Sequence, residues 1–337
     1  MINVAKTAGF CYGVKRAVDD VYKEIENGKK IATLGPLIHN RQVIEDLASK
    51  GVYAYDSIED IPSDHTVVIR AHGVPKAVYD KMNGREYIDL TCPFVAKIHK
   101  IVSKHHKEGY QIIIVGDKNH PEVIGINGWC DNKAVIINDV KSEIDGNLAS
   151  KDICIVAQTT INRDFFGEIV QNVKKTCKST LVFDTICKAT AERQAEASDI
   201  AKEADVMIVV GGRQSSNTAK LKDVSEKYAP TYLVETAEEL PMDVLAGVGC
   251  IGVTAGASTP AHIIKEVLDT MSEEKVNTIK ETDEEVKAAP VGEMAAEEQQ
   301  EAPQKSFDDM TFEEALEASL NSLNSDQKVR GIVMSIN

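Results

Sequence analysis

Short apolar runs recur along the chain, and amphipathic stretches of helical length separate them. KIATLG, QIIIVG and VMIVVGG carry almost no polar alternation, and neither do the starts of TVVIRAHGVP, ICIVAQTTIN and CIGVTAGASTP. A near-continuous apolar run of this length reads as a strand buried on both faces, as in parallel sheets. Between the strands, YGVKRAVDDVYKEI, PFVAKIHKIVSKHHKE and KATAERQAEASDIAKEA read as helices. Strands alternating with helices predict an α/β fold with parallel-rich sheets covered by helices.

The order of elements repeats. Cys11, Cys92 and Cys187 lie 81 and 95 residues apart. Each follows a strand-like run and opens a helix. Each helix leads to an apolar strand, a polar loop with a second helix, a short strand, another apolar strand with its loop, and a final helix. In the first two repeats a further strand runs into the next cysteine. The third repeat lacks that strand at its own end, and the chain begins with one at Ile2–Lys6. We therefore expect three small α/β domains around one centre: 11–92, 93–186, and 187–272 closed by 1–10. One larger α/β domain with coincidental spacing is the competing reading.

Composition narrows the class. Of 337 residues, 43% are hydrophobic and 27% charged, ordinary for a globular chain. No apolar run reaches the roughly 20 residues of a membrane helix, and no secretory leader opens the chain, so a cytoplasmic location is expected. Seven cysteines in such a setting read as ligands or buried thiols rather than disulfides. The formal charge of −15 is unevenly spread: residues 281–337 hold 14 acidic and 4 basic residues, net −10. The first 280 residues carry the remaining −5, so the acidity says little about a ligand.

The repeat brings candidate chemistry together. Ligand sites in parallel sheets form beyond the carboxyl ends of strands. Three thiols there, each at a helix amino end that favours thiolate, would make a metal or iron–sulfur site with one open position. Zinc is less apt, because close CxxC pairs are missing. Two further sets of loops should face the same cavity. One holds His39, His120 and the Ser215-Ser216-Asn217 run. The other holds His72, Thr159 with Thr160, and Ser258 with Thr259. Small hydroxyl and imidazole donors, with glycines nearby, suit a phosphate or diphosphate. Glu122 is the carboxylate in these loops that could donate a proton if desolvated; otherwise it caps a helix or faces solvent. The remaining histidines read as surface or packing residues. Cys130, Cys154, Cys177 and Cys250 read as inert buried thiols, with Cys154 and Cys250 inside strands. GVGCIG matches a dinucleotide fingerprint only loosely and opens a strand. A cluster that delivers electrons, anion donors and one acid together imply reductive removal of a hydroxyl from a phosphorylated substrate.

The stretches AGFCYGVKRA, LIHN, AHGV, TCPFVAKIH, NHPEV, QTT, TICKAT, GGRQSSNT and AGASTP resemble the 4-hydroxy-3-methylbut-2-enyl diphosphate reductases of the non-mevalonate isoprenoid pathway. The resemblance is collinear over roughly residues 1 to 270. It implies three α/β domains around a [4Fe–4S] cluster held by Cys11, Cys92 and Cys187, with the substrate hydroxyl on the fourth iron. It implies diphosphate contacts from His39, His72, Ser215, Ser216, Asn217 and Ser258, with His120 also lining the pocket. Glu122 then corresponds to the proton-delivering acid and Thr159 to the hydroxyl that positions the substrate alcohol. The products would be isopentenyl and dimethylallyl diphosphate, with ferredoxin or flavodoxin as electron donor. An iron–sulfur sensor without catalysis, or an RNA-associated protein, is the alternative.

From about Ser272 the texture changes. Residues 273–305 are acidic, Ala- and Pro-containing, and poor in aromatics, which predicts a disordered linker. FDDMTFEEALEASLNSL then reads as an amphipathic helix with Phe312, Leu316 and Leu320 on one side. KVRGIVMSIN reads as a single strand and resembles the first strand of the oligonucleotide-binding repeat of small-subunit ribosomal proteins. The expectation is a reductase fused to such repeats and truncated within 306–337, with no RNA binding by this chain alone.

Overall fold

The two central strands of the middle repeat show why the fold is layered: Ile112, Ile113, Ile114, Ile153, Ile155 and Val156 are at most 1% exposed. Residues this apolar on both faces need helices on both sides. The computed structural model describes residues 1–272 apart from 83, 143 and 178, and the expectations for 273–305 and 306–337 lie outside the described residues.

The chain opens with β1 (Ile2–Val4). The first repeat runs α1 (Tyr12–Glu26), β2 (Ile31–Leu34), α2 (Arg41–Ser49), β3 (Tyr53–Tyr55), β4 (Thr66–Ile69), α3 (Lys76–Lys81) and β5 (Tyr87–Asp89). The second runs α4 (Pro93–Lys107), β6 (Gln111–Val115), α5 (Pro121–Asn127), β7 (Val135–Ile137), β8 (Asp152–Ala157), α6 (Arg163–Thr176) and β9 (Ser179–Val182). The third runs α7 (Lys188–Glu203), β10 (Val206–Val210), α8 (Ser216–Ser225), β11 (Thr231–Val234) and β12 (Ile251–Ala255), and a last helix covers 261–272.

Three four-stranded parallel sheets result, with orders β3-β2-β4-β5, β7-β6-β8-β9 and β11-β10-β12-β1. The third order matches the other two because β1 takes the fourth place. Ile2, Asn3 and Val4 pair in parallel with Ile251, Gly252 and Val253, and the Ala5 amide donates to the Val253 carbonyl at 2.8 Å. Thus the chain's first strand occupies the place that β5 and β9 hold in their sheets. In each sheet the first strand sends its connection to one side and the third strand lies on the other. The crevice between their carboxyl ends is where a ligand site forms. Among the described residues, no helix is long and apolar enough to cross a membrane.

Candidate active site

Each of the three cysteines is the residue before a helix: Cys11 before α1, Cys92 before α4 and Cys187 before α7. None uses its side chain as a cap. The strands themselves end earlier, at Val4, Asp89 and Val182, and loops of different length carry the chain to the thiols. What fixes the thiols is a shared hydrogen bond. The amides of Cys92, Cys187 and Cys11 donate to the carbonyls of Ala71, Thr159 and Ala257, at 2.9, 3.0 and 3.1 Å. Each acceptor lies two residues past the end of the third strand of a sheet, β4, β8 or β12. The threefold pattern therefore extends from sheet order down to single hydrogen bonds.

The three thiols line one cavity with Gly13, Phe94, His39, His72, His120, Glu122, Thr159, Thr160, Ser215, Ser216, Asn217 and Ser258. All three are free and partly exposed. A Cβ on Gly13 would sit 2.7 Å from the Cys92 sulfur, so the first turn of α1 closes on that thiol only because residue 13 has no side chain. Burial pushes the Cys92 thiol above its ordinary value, the amides of Phe94 and Val95 oppose this, and the neighbouring Cys11 and Cys187 add to it. The helix-end amides favour the thiolate at Cys92, as the sequence reading has it, and burial opposes them.

His39, His120 and Ser215 each stand five residues beyond the first strand of a sheet. The His39, His72 and His120 rings have centroids 4.6, 5.5 and 5.7 Å apart. Burial lowers all three below the ordinary imidazole value, His120 to about 4 and His72 well below it, and mutual repulsion adds to the effect on His72 and His120. His39 Nε2, His72 Nδ1 and both amide atoms of Asn217 are buried without a partner. Buried polar atoms left open in this way are what an incoming ligand would satisfy. The hydroxyls are already engaged: Ser215 caps α8 through the Thr218 amide, Ser216 pairs with Thr160 at 2.8 Å, and Ser258 donates to the His39 carbonyl at 3.1 Å.

Glu122, in the first turn of α5, is 2% exposed. The Thr159 amide donates to its Oε1 at 2.6 Å and the Thr159 hydroxyl to its Oε2 at 2.7 Å. Burial raises the carboxyl to about 7, and the two Thr159 contacts hold it from rising further. The surface or capping reading of Glu122 thus does not hold; the side chain points inward, and its own amide donates to His120 Nδ1 at 3.2 Å.

The family described as LytB protein matches residues 2–272. The chain belongs to the LytB family. A 4-hydroxy-3-methylbut-2-enyl diphosphate reductase of Clostridioides difficile (strain 630) is 47% identical over 274 residues, spanning 79% of this chain and 97% of that protein. One of the same name from Clostridium tetani (strain Massachusetts / E88) is 44% identical over 283 residues, but the match spans only 44% of that longer protein. A solved (E)-4-hydroxy-3-methyl-but-2-enyl diphosphate reductase is similar with 40% identity and a TM-score of 0.60, over 81% of this chain and 99% of that one. The Plasmodium falciparum reductase structure gives 31% identity and a TM-score of 0.74, over 80% and 87%. The LytB family consists of iron–sulfur oxidoreductases, and three uncommitted thiols converging on one cavity fit such a centre here.

Several residues of this LytB site escaped the sequence reading. Arg193 on α7 is 4% exposed and donates to the carbonyls of Thr7 and Gly9, both at 2.8 Å. Glu196, one turn on, accepts from the Lys6 and Thr7 amides at 2.8 and 2.9 Å. Together they grip the loop that presents Cys11. Burial pulls Arg193 below the usual arginine value, and the Cys11 and Cys187 thiols oppose this. Gln158 joins two loops by donating to Thr160 and Ser216, at 3.1 and 3.3 Å. No local motif marks Arg193 and Glu196, whose partners are distant in sequence; Gln158 opens the QTT stretch, but its bond to Ser216 reaches another repeat. Cys130, Cys154 and Cys177 are buried, Cys154 within β8, but Cys250 is neither buried nor in a strand. It precedes β12, where its amide donates to Asp205 at 2.8 Å. His99 is a packing residue, stacked on Trp129 with ring centroids 5.1 Å apart.

Proposed function

We propose that this chain reduces (E)-4-hydroxy-3-methylbut-2-enyl diphosphate to isopentenyl and dimethylallyl diphosphate. Two electrons and two protons enter, the carbon–oxygen bond breaks, and the hydroxyl leaves as water. The observation that carries the reading is the buried Glu122–Thr159 pair sharing one cavity with three free thiols and three clustered imidazoles, two of which keep an unpartnered nitrogen. Cys11, Cys92 and Cys187 would hold a [4Fe–4S] cluster, which supplies the electrons and an open iron position.

The chain's own groups do the rest. His39, His72, His120 and Asn217 bring open polar atoms to the diphosphate, and Ser215, Ser216 and Ser258 exchange their present bonds for it. Burial raises the Glu122 carboxyl to about 7, so a substantial fraction of it holds a proton at neutral pH. The Thr159 hydroxyl, on Glu122 Oε2, orients the substrate alcohol toward that proton. Protonation turns hydroxide, a poor leaving group, into water. Cluster-loaded protein assayed anaerobically with a reduced viologen should consume the allylic diphosphate. Glu122→Gln should lose turnover by orders of magnitude while binding remains; near-wild-type turnover would remove Glu122 from this role.

The three-domain partition at 11–92, 93–186 and 187–272 with 1–10, a cytoplasmic location, and ferredoxin or flavodoxin as donor belong to the same reading. So does a C-terminal fusion to oligonucleotide-binding repeats beginning within 306–337, which the greater length of the Clostridium tetani relative supports.

A further inference from the structure

We propose that the lysine face of α4 is the docking surface for an acidic, one-electron carrier protein, which delivers electrons to the redox centre beside Cys92. α4 (Pro93–Lys107) contains no Asp or Glu. Lys97, Lys100, Lys104 and Lys107 are all exposed and recur at steps of three and four residues, so they share one side of the helix. Lys100, Lys104 and Lys107 line one surface cavity with Ser103, Glu108 and Trp129. Among the described residues, Lys104 alone of the four lysines reaches an acid, Glu108 at 3.9 Å. Four positive charges thus stand on one helix face, although residues 1–280 together carry −5.

The same helix leads to the thiols. It starts directly after Cys92, and Phe94, 48% exposed, lines the cavity that the three thiols share. The helices after Cys11 and Cys187 are similar there: Tyr12 is 68% exposed and the Lys188 side chain 85%. None of the three helices has an acid in its first turn, although a helix amino end favours one. Lys15 and Lys188 do pair with Asp19 and Glu192, but those acids lie one turn further along their helices. Exposed apolar residues beside a charged rim are the make-up of a transient protein interface. Fifteen residues of helix run about 22 Å. That suits the small footprint of an electron-transfer contact, under about 1,200 Å² in total.

This inference rests on the reductase reading above. That reaction takes up two electrons per diphosphate, and electrons reach an iron–sulfur centre singly. Two encounters with a one-electron carrier, each oxidised by one electron, therefore supply one turnover. Each encounter has to form and dissolve quickly, which attraction between exposed opposite charges provides and a large apolar interface does not. The lysine stripe selects for an acidic carrier, and an acidic ferredoxin is the partner of that chemistry.

The test compares the cluster-loaded full chain with its triple variant Lys97→Glu, Lys100→Glu and Lys104→Glu, using two reductants. Reduced viologen is a small cation and needs no docking face; a reduced acidic ferredoxin does. We expect viologen turnover of the variant within about twofold of wild type. The KM for ferredoxin should rise at least about tenfold at low salt, and the gap should close as salt approaches about 0.5 M. A second readout needs no turnover: calorimetric binding of oxidised ferredoxin, without substrate, should weaken by a similar factor. An unchanged ferredoxin KM and affinity overturns the proposal. So does an equal loss with viologen, which would place the lysines in the support of the redox centre. Ferredoxin binding that appears only after removal of residues 273–337 would make that acidic segment the occupant, and would also overturn it. Wild type that binds ferredoxin more tightly than the variant, yet turns over with neither reductant, counts against the reductase reading alone.

Discussion

Glu122 is the residue whose environment most departs from the ordinary. A carboxyl at about 7 in the folded chain and near 4.5 when free is costlier to fold as pH rises through that interval. Below about 4.5 both states are protonated and the cost vanishes; above about 7 it is complete, on the order of 3 kcal/mol. Glu122→Gln should therefore gain stability relative to wild type between pH 5 and 8 and show no gain below 4.5, as denaturant midpoints across pH would reveal. In turnover, the wild type should lose activity on the alkaline side with a midpoint near 7, and the residual activity of Glu122→Gln should lack that limb. Arg193 invites a different test at the same scale. As a buried cation that holds the Cys11 loop and faces two thiols, it is a positioning residue. Arg193→Gln should lower iron retained per chain and make the cluster potential more negative, while Arg193→Lys recovers the potential in part. Unchanged iron content and potential in Arg193→Gln would show the residue to be merely structural.

At the scale of elements, the site depends on how helices open. Gly13 lets α1 start against the Cys92 sulfur. Gly13→Ala should leave the helix itself intact or slightly favoured, by up to about 1 kcal/mol, yet reduce cluster loading severely. Circular dichroism beside iron analysis separates the two effects, and normal iron in Gly13→Ala would show that the close approach is not needed. The same elements explain what could be read from sequence. The histidine loops and the Ser215–Asn217 run were legible because they recur at fixed offsets from buried strands, and the cysteines because each opens a helix after a strand. Ser258 and Thr159 lie three and two residues past the third strand of their sheets, in loops that recur in the same order. Glu122 was legible as a candidate acid through the loops around it, while its burial against Thr159 was not, since one carboxylate two residues from a histidine carries no pattern of its own. Arg193 and Glu196 were not legible, because their partners are groups of another loop, and the bond from Gln158 to Ser216 was hidden for the same reason. Cys250 was misread as a strand residue: an apolar neighbourhood reads as strand, but Asp205 holds its amide outside β12. At Cys92 the sequence shows the helix end that favours thiolate but not the burial that opposes it.

At the scale of the molecule, a pseudo-threefold plan is closed by the chain's own beginning. β1 lies 249 residues from its partner strand, pairing Ile2 with Ile251, and its loop delivers Cys11. The family match and every residue of the pocket end by residue 272. Removal of 273–337 should accordingly leave cluster content and turnover within about twofold of the full chain, and a larger loss would give that segment a part in the reaction. The central claim is that three equivalent helix ends hold one redox centre that reduces the allylic diphosphate. Its most direct measurement is anaerobic turnover, followed as reduced viologen oxidised per diphosphate consumed, in wild type and Cys92→Ser after identical iron and sulfide loading. Two viologens per diphosphate in the wild type, with turnover abolished in Cys92→Ser, is the expected result. Equal turnover in the two proteins would contradict it.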